Sequence, residues 1–124
     1  MRVLIALVLL VCASPSRAQD ICEIIAGAAI VAQDGKYLGR IASSYDSESA
    51  LNEYGQYGSQ YSSNSIWNEY GMYGGQYSSN SPFNPYASSP PQVIKNGKVI
   101  AFLTVNRTLR AALNPYVLKT CTFY

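Results

Sequence analysis

Between residues 43 and 90 the chain repeats itself three times at a fixed period of 16: SSYDSESALNEYGQYG (43–58), SQYSSNSIWNEYGMYG (59–74) and GQYSSNSPFNPYASSP (75–90). A period held without slippage requires every unit to take the same kind of structural element and to stack or pair with its neighbours. The competing reading is an unstructured Tyr/Gly/Ser-rich tract, but such tracts have no reason to keep register.

Five columns stand out. Tyr45, Tyr61 and Tyr77 form the first, Tyr54, Tyr70 and Tyr86 the second, Asn52, Asn68 and Asn84 the third, and Ser49, Ser65 and Ser81 the fourth. Leu51, Trp67 and Phe83 form the fifth, apolar each time though its identity varies, which marks a packing position. In the third copy Pro82 and Pro85 replace Ile66 and Glu69, so neither position needs a backbone donor. That excludes a long helix or an interior strand and fits a tight turn capped by the Ser column. Each unit therefore reads as a short extended piece around the first Tyr, a Ser-capped turn carrying the apolar residue, and a return flanked by Gly55, Gly58, Gly71 and Gly74.

An apolar segment flanks the block on each side. IIAGAAIVAQ is followed by Asp34-Gly35 and KYLGRI, and QVIK by Asn96-Gly97 and KVIAFLTVN. Asp-Gly and Asn-Gly between apolar runs signal hairpins, because a type I′ turn needs positive φ at both central residues. The expected fold is mostly β: a hairpin at 24–42, three repeats at 43–90, and a second hairpin with a C-terminal segment at 91–124, all in one small domain. Lys98 to Asn106 is apolar on both faces, which predicts cover on both sides, one side from the repeats. RTLRAAL (107–113) has room for one or two helical turns before Pro115 stops them.

Residues 1–18, MRVLIALVLLVCASPSRA, read as a secretory signal peptide: Arg2, an apolar run from Val3 to Cys12, and a small-x-small site ending at Ala18. A lipoprotein signal ending at Cys12 is disfavoured by Val11. The leader carries Arg2 and Arg17 of the nine basic residues, so the mature chain has seven against seven acidic ones. That neutrality gives no electrostatic ground for nucleic acid or anionic membrane, and no membrane span remains after cleavage. Cys22 and Cys121 are then the two mature cysteines, and export favours a disulfide between them over two buried thiols.

The run YDSESALNEYGQYGSQYSSNSIWNEYGMYGGQYSSNSPFNPYA, with DGKYLGRI before it and PPQVI and FLTVN after it, resembles small exported bacterial proteins that share this tandem 16-residue Tyr/Asn/Gly repeat. The likeness covers Gln33 to about Val117, and the first unit departs from it at Ala50 and Leu51. It implies one secreted domain, periplasmic or extracellular, and brings no substrate, cofactor or catalytic residue.

Catalysis has little to work with. The chain lacks His, and a Cys22–Cys121 disulfide removes thiol chemistry and zinc ligation. Glu53 and Glu69 recur one period apart, but the third copy has Pro85 there. Asp46, Glu48, Asn52 and Glu53 offer oxygens for calcium, with turn stabilisation as the simpler use of such residues. The expectation is therefore no enzyme, no cofactor and no metal, but an exported binding or scaffold module. Its partner is a polysaccharide or a cell-envelope protein, met by Tyr54, Tyr57, Tyr70 and Tyr73 at Gly-flanked loop tips. The first Tyr column is expected in the core. The alternative is a Tyr-rich structural protein that assembles or cross-links through the same tips.

Overall fold

The computed structural model describes residues 17–124. The expected leader lies outside them except for Arg17 and Ala18, where helix α1 (Arg17–Ile25) begins. Ile21 and Ile25, four apart, put their side chains on the core side of α1, while Ile24 is exposed. Gly27 ends the helix at φ +83, and Lys95 Nζ donates to the free carbonyl of Ile24 at 2.8 Å. The first apolar run thus divides into the end of a helix and a strand, so the hairpin is shorter than the expected 24–42.

One five-stranded sheet follows, built from β1 (Ala29–Val31), β2 (Tyr37–Arg40), β3 (Gln92–Lys95), β4 (Lys98–Leu103) and β5 (Ala112–Leu113), in the order β2-β1-β3-β4-β5. All neighbours are antiparallel except β4 and β5. The β1–β3 pair joins the two flanks of the repeat block, with Ile30 opposite Val93. Asn96 (φ +54) and Gly97 (φ +78) are both left-handed, as the tight β3–β4 turn demands. At the β1–β2 turn only Gly35 is left-handed (φ +95), which corrects the expectation for Asp34. There Gly35 N–H donates to Ala32 O, and Asp34 Oδ1 accepts from Lys36 N–H, stabilising a longer loop.

Two further expectations fail near the C-terminus. The 107–113 segment forms turns and β5 rather than a helix, and Pro115 starts a 3-10 helix (Pro115–Thr120) instead of stopping one. Proline suits that first position because its missing N–H would be unpaired there anyway. Asn114 caps this helix, its side chain accepting from Tyr116 N–H at 2.9 Å. Strand β4 is also less covered than its sequence implies: Leu103 is buried, Ile100 to Phe102 are half-buried, and Val99 is 46% exposed.

The repeat block is a coil of β-turns laid end to end. Its corners are Ser43, Asp46, Ser49, Asn52 and Gly55, then Ser59, Ser62, Ser65, Asn68 and Gly71, then Gly75, Ser78, Ser81, Asn84 and Ala87. Each corner's N–H donates to the preceding corner's carbonyl, except across Ser81–Asn84 and at the unit boundaries' first residue Ser43. Four three-residue steps and one four-residue step therefore make the period of 16. Every polar corner also accepts, through the side-chain oxygen, the N–H two residues on; Asn68 Oδ1 takes Tyr70 N–H at 3.0 Å and Ser65 Oγ takes Trp67 N–H at 3.0 Å. Asn52, Asn68 and Asn84 use their amide as well, donating six residues back to Asp46 O, Ser62 O and Ser78 O at 3.0–3.2 Å.

The coil faces the sheet with its third turn in each unit. Ala50, Ile66 and Pro82, each following a Ser corner, are buried, and Ala50 and Ile66 belong to one core with Ile30, Leu38, Leu103 and Leu118. The coil is also hydrogen-bonded to the sheet and its continuation: Arg40 N–H donates to Glu48 O, Ala50 N–H to Arg40 O, and Val105 N–H, two residues past β4, to Pro82 O. The first of these covers the free edge of β2. A Cys22–Cys121 disulfide, with Cα atoms 5.6 Å apart, ties α1 to the end of the chain. Among the described residues no helix is long and apolar enough to cross a membrane.

Candidate functional site

The two recurrent Tyr columns lie on the outside of the coil. Tyr45, Tyr61, Tyr77, Tyr54, Tyr70 and Tyr86 are all between 85% and 98% exposed. The first column was expected in the core; that seat belongs instead to the Ala50/Ile66/Pro82 column, on the third turn of each unit, which points at the sheet. Nor is there an extended piece around the first Tyr, which stands on a turn like its neighbours. The Leu51, Trp67 and Phe83 column is half-buried, with Leu51 and Trp67 against the core edge and Phe83 between Trp67 and Tyr116.

The four tyrosines singled out in the sequence separate into two pairs. Tyr54 and Tyr70 are exposed, whereas Tyr57 and Tyr73, expected at loop tips, are half-buried. Tyr57 lies against β2, where Gly39 (φ +105) leaves it room: a Cβ on Gly39 would sit 2.6 Å from Tyr57 Cβ. Its ring meets Tyr37 edge-on, with centroids 5.1 Å apart. Tyr37 hydroxyl donates to Glu48 Oε1 at 2.9 Å, and burial, reinforced by that acceptor, pushes its pKa up to about 12. Tyr73 hydroxyl donates to Asp34 Oδ2 at 2.8 Å. Burial raises the Tyr73 pKa, and the Lys36 N–H followed by the Tyr73 hydroxyl holds Asp34 below the usual carboxylate range.

Clefts open where one unit meets the next, at the four-residue step. One of about 570 Å³ is lined by Glu53, Tyr54, Gly58, Ser59, Gln60, Tyr61 and Trp67, with Lys119 beside them. Another, of about 660 Å³, is lined by Glu69, Tyr70, Gly74, Gly75, Gln76, Tyr77 and Phe83, together with Trp67 and Tyr116. All seven repeat residues of the first recur in the second advanced by 16, and the second adds Gly71, Ser78 and Val105. A smaller hollow, of about 350 Å³, takes Ser43, Ser44, Tyr45 and Leu51 from the corresponding places before them, closed by Cys121–Tyr124.

Each full cleft has two exposed Tyr walls, one from each unit, an aromatic side from the fifth column, and one carboxylate and one Gln amide. The aromatic side is continuous: Trp67 and Phe83 centroids lie 5.5 Å apart, Phe83 and Tyr116 5.2 Å, and Lys119 Nζ sits 4.2 Å from the Trp67 centroid. Trp67 Nε1 donates to Ala50 O, which holds the indole. Tyr61 and Tyr77 enter the site although the sequence reading placed them elsewhere. The signal for them was a Ser, Asp, Asn or Gly at nearly every third position from Ser43, which sets the direction of each turn.

Three of the four oxygen groups considered for calcium are engaged, and the fourth, Glu53, lines a cleft. Asp46 pairs with Arg40 and accepts Glu48 N–H, Glu48 accepts from Tyr37, and Asn52 holds Tyr54 N–H. Among the described residues no three His, Cys, Asp or Glu gather as a metal-holding group. Glu53 and Glu69 line separate clefts. In comparison with known proteins, no family model matches the chain, and no curated protein or solved structure is detectably similar to it.

Proposed function

We propose that the chain is an exported, non-catalytic module that binds a polysaccharide through the Tyr54–Tyr61 and Tyr70–Tyr77 faces of its coil. The observation that carries this reading is the contrast between how firmly these tyrosines are placed and how little their rings do for the fold. The N–H groups of Tyr54, Tyr61 and Tyr70 are held by Asn52, Ser59 and Asn68, yet the rings stand in solvent. Any residue with an N–H would complete those turns. A row of flat, amphipathic rings beside amide and carboxylate groups suits sugar rings, whose C–H faces stack on aromatics while their hydroxyls take hydrogen bonds.

Tyr57 and Tyr73 act in this reading as supports, fixing the coil to β2 and to the Asp34 loop. The test is a glycan array probed with the chain from Gln19 onward and with Tyr54→Ala/Tyr70→Ala. Retained folding with lost glycan signal is expected. Unchanged signal in the double variant, or no signal from either protein, overturns the proposal. The structural alternative draws on the same exposure: dityrosine fluorescence in native material, with no glycan bound, would put cross-linked assembly in its place.

A further inference from the structure

The two full clefts share seven equivalent repeat positions, so a ligand unit that engages those positions in one meets the same kinds of group in the other. Glu53, Tyr54, Gly58, Ser59, Gln60, Tyr61 and Trp67 reappear as Glu69, Tyr70, Gly74, Gly75, Gln76, Tyr77 and Phe83. The clefts also adjoin, because Trp67 lines both and stacks towards Phe83 with no break in the aromatic side. Sites that repeat by translation along a solenoid suit a ligand that repeats too, and each further ligand unit then binds as an intramolecular event.

We infer that the clefts are consecutive subsites for one linear, uncharged hexose polymer lying across the two junctions between the three units, with the Tyr45 hollow as a partial subsite before them. This deepens the polysaccharide reading and rests on it. The absence of charge on the polymer follows from the lining. The second cleft carries one carboxylate, Glu69, and no cation, so it repels an acidic glycan, while in the first Glu53 is balanced by Lys119 and no net charge remains to attract one. The one cation beside them, Lys119, lies over the Trp67 ring. Glu and Gln at each lip are acceptors and donors for hydroxyls, and the paired Tyr walls supply stacking surface.

The ligand probes are size ladders of uncharged gluco-oligosaccharides and of N-acetylglucosamine oligosaccharides, disaccharide upward, titrated calorimetrically. For the ladder that binds, affinity is expected to rise by at least about tenfold at the length that bridges both clefts and then to level off. Tyr54→Ala/Tyr61→Ala and Tyr70→Ala/Tyr77→Ala should each abolish that rise while leaving short oligosaccharides bound at the intact cleft. All four substituted rings are exposed, so thermal melting should confirm intact folds, and Val99→Ala, outside both clefts, serves as the neutral control. Binding that does not depend on length sinks the subsite inference and spares the polysaccharide reading. Failure of both ladders and of the array sinks both. Tighter binding to a uronic acid polymer overturns the uncharged class. Concentration-dependent dimers in sedimentation, dispersed by Tyr70→Ala/Tyr77→Ala, would make a second copy of this chain the occupant instead.

Discussion

Gly58 crosses Asn52 so closely that a Cβ on it would sit 2.1 Å from the Asn52 carbonyl oxygen, and Gly74 repeats the crossing over Asn68 at 2.2 Å. This is the point where the four-residue step closes one unit and the cleft opens. The third copy has Pro90 at that position, and there the coil ends and the chain leaves for β3.

Gly58→Ala and Gly74→Ala are therefore expected to destabilise by about 1–3 kcal/mol or more, since backbone must move to admit the methyl. Gly55→Ala is the contrast. Its Cβ would meet Asn52 Nδ2 at 3.2 Å, and Ala87 occupies the matching place in the third unit. Urea denaturation of the three variants should separate Gly55→Ala, with a small change, from the other two.

Asn68 holds two parts of the coil at once, accepting from Tyr70 N–H and donating to Ser62 O at 3.1 Å. Asn68→Ala should cost about 1–3 kcal/mol by leaving both groups unpaired. Asn68→Asp keeps the turn but sets a carboxylate against the Ser62 carbonyl. Its deficit at neutral pH should shrink in acid, where the protonated carboxyl donates again. Denaturation midpoints at neutral and acid pH, each measured against the parent, decide it.

Much of the scaffold was legible because it depends on local chemistry. Asn96-Gly97 announced a turn only such residues make, the Ser column announced capped turns, and Pro82 and Pro85 announced positions that donate nothing. The three-residue step is equally written in Ser43, Asp46, Ser49, Asn52 and Gly55, but these corners are polar or Gly and leave no trace in the apolar periodicity. The division of the tyrosines was not local. Tyr54 and Tyr57 both stand two residues after a corner and both neighbour a Gly. Only the presence of Gly39 and Tyr37 beneath Tyr57 decides that one ring is packed and the other is in solvent.

Trp67 is the single tryptophan of the chain, lines both clefts, and donates Nε1–H to Ala50 O. Being half-buried, it should lose about 2–3 kcal/mol as Trp67→Ala, less than a fully buried aromatic. Trp67→Phe should lose about 1 kcal/mol, the share of the hydrogen bond. Intrinsic fluorescence then reports on the site without a label. A saturating glycan should shift its emission, and ligand binding with an unchanged spectrum would place that ligand away from these clefts.

Tyr37 makes the stability of the fold sensitive to alkali. Its hydroxyl, desolvated and donating to Glu48, ionises near pH 12 in the folded chain against 10.0 for a free tyrosine. The folded state thus holds this proton more tightly than the unfolded state. The stabilisation is complete below pH 10 and declines as pH rises from 10 to 12, because unfolded tyrosine ionises first. Tyr73, raised by burial and by Asp34, acts in the same direction. Tyr37→Phe removes the titrating group together with the bond that ties β2 to the first unit. It should be less stable than the parent at neutral pH and should lose less on going from pH 10 to 12. Denaturation curves for both proteins across that window provide the measurement, and parallel declines would show that Tyr37 is not the group responsible.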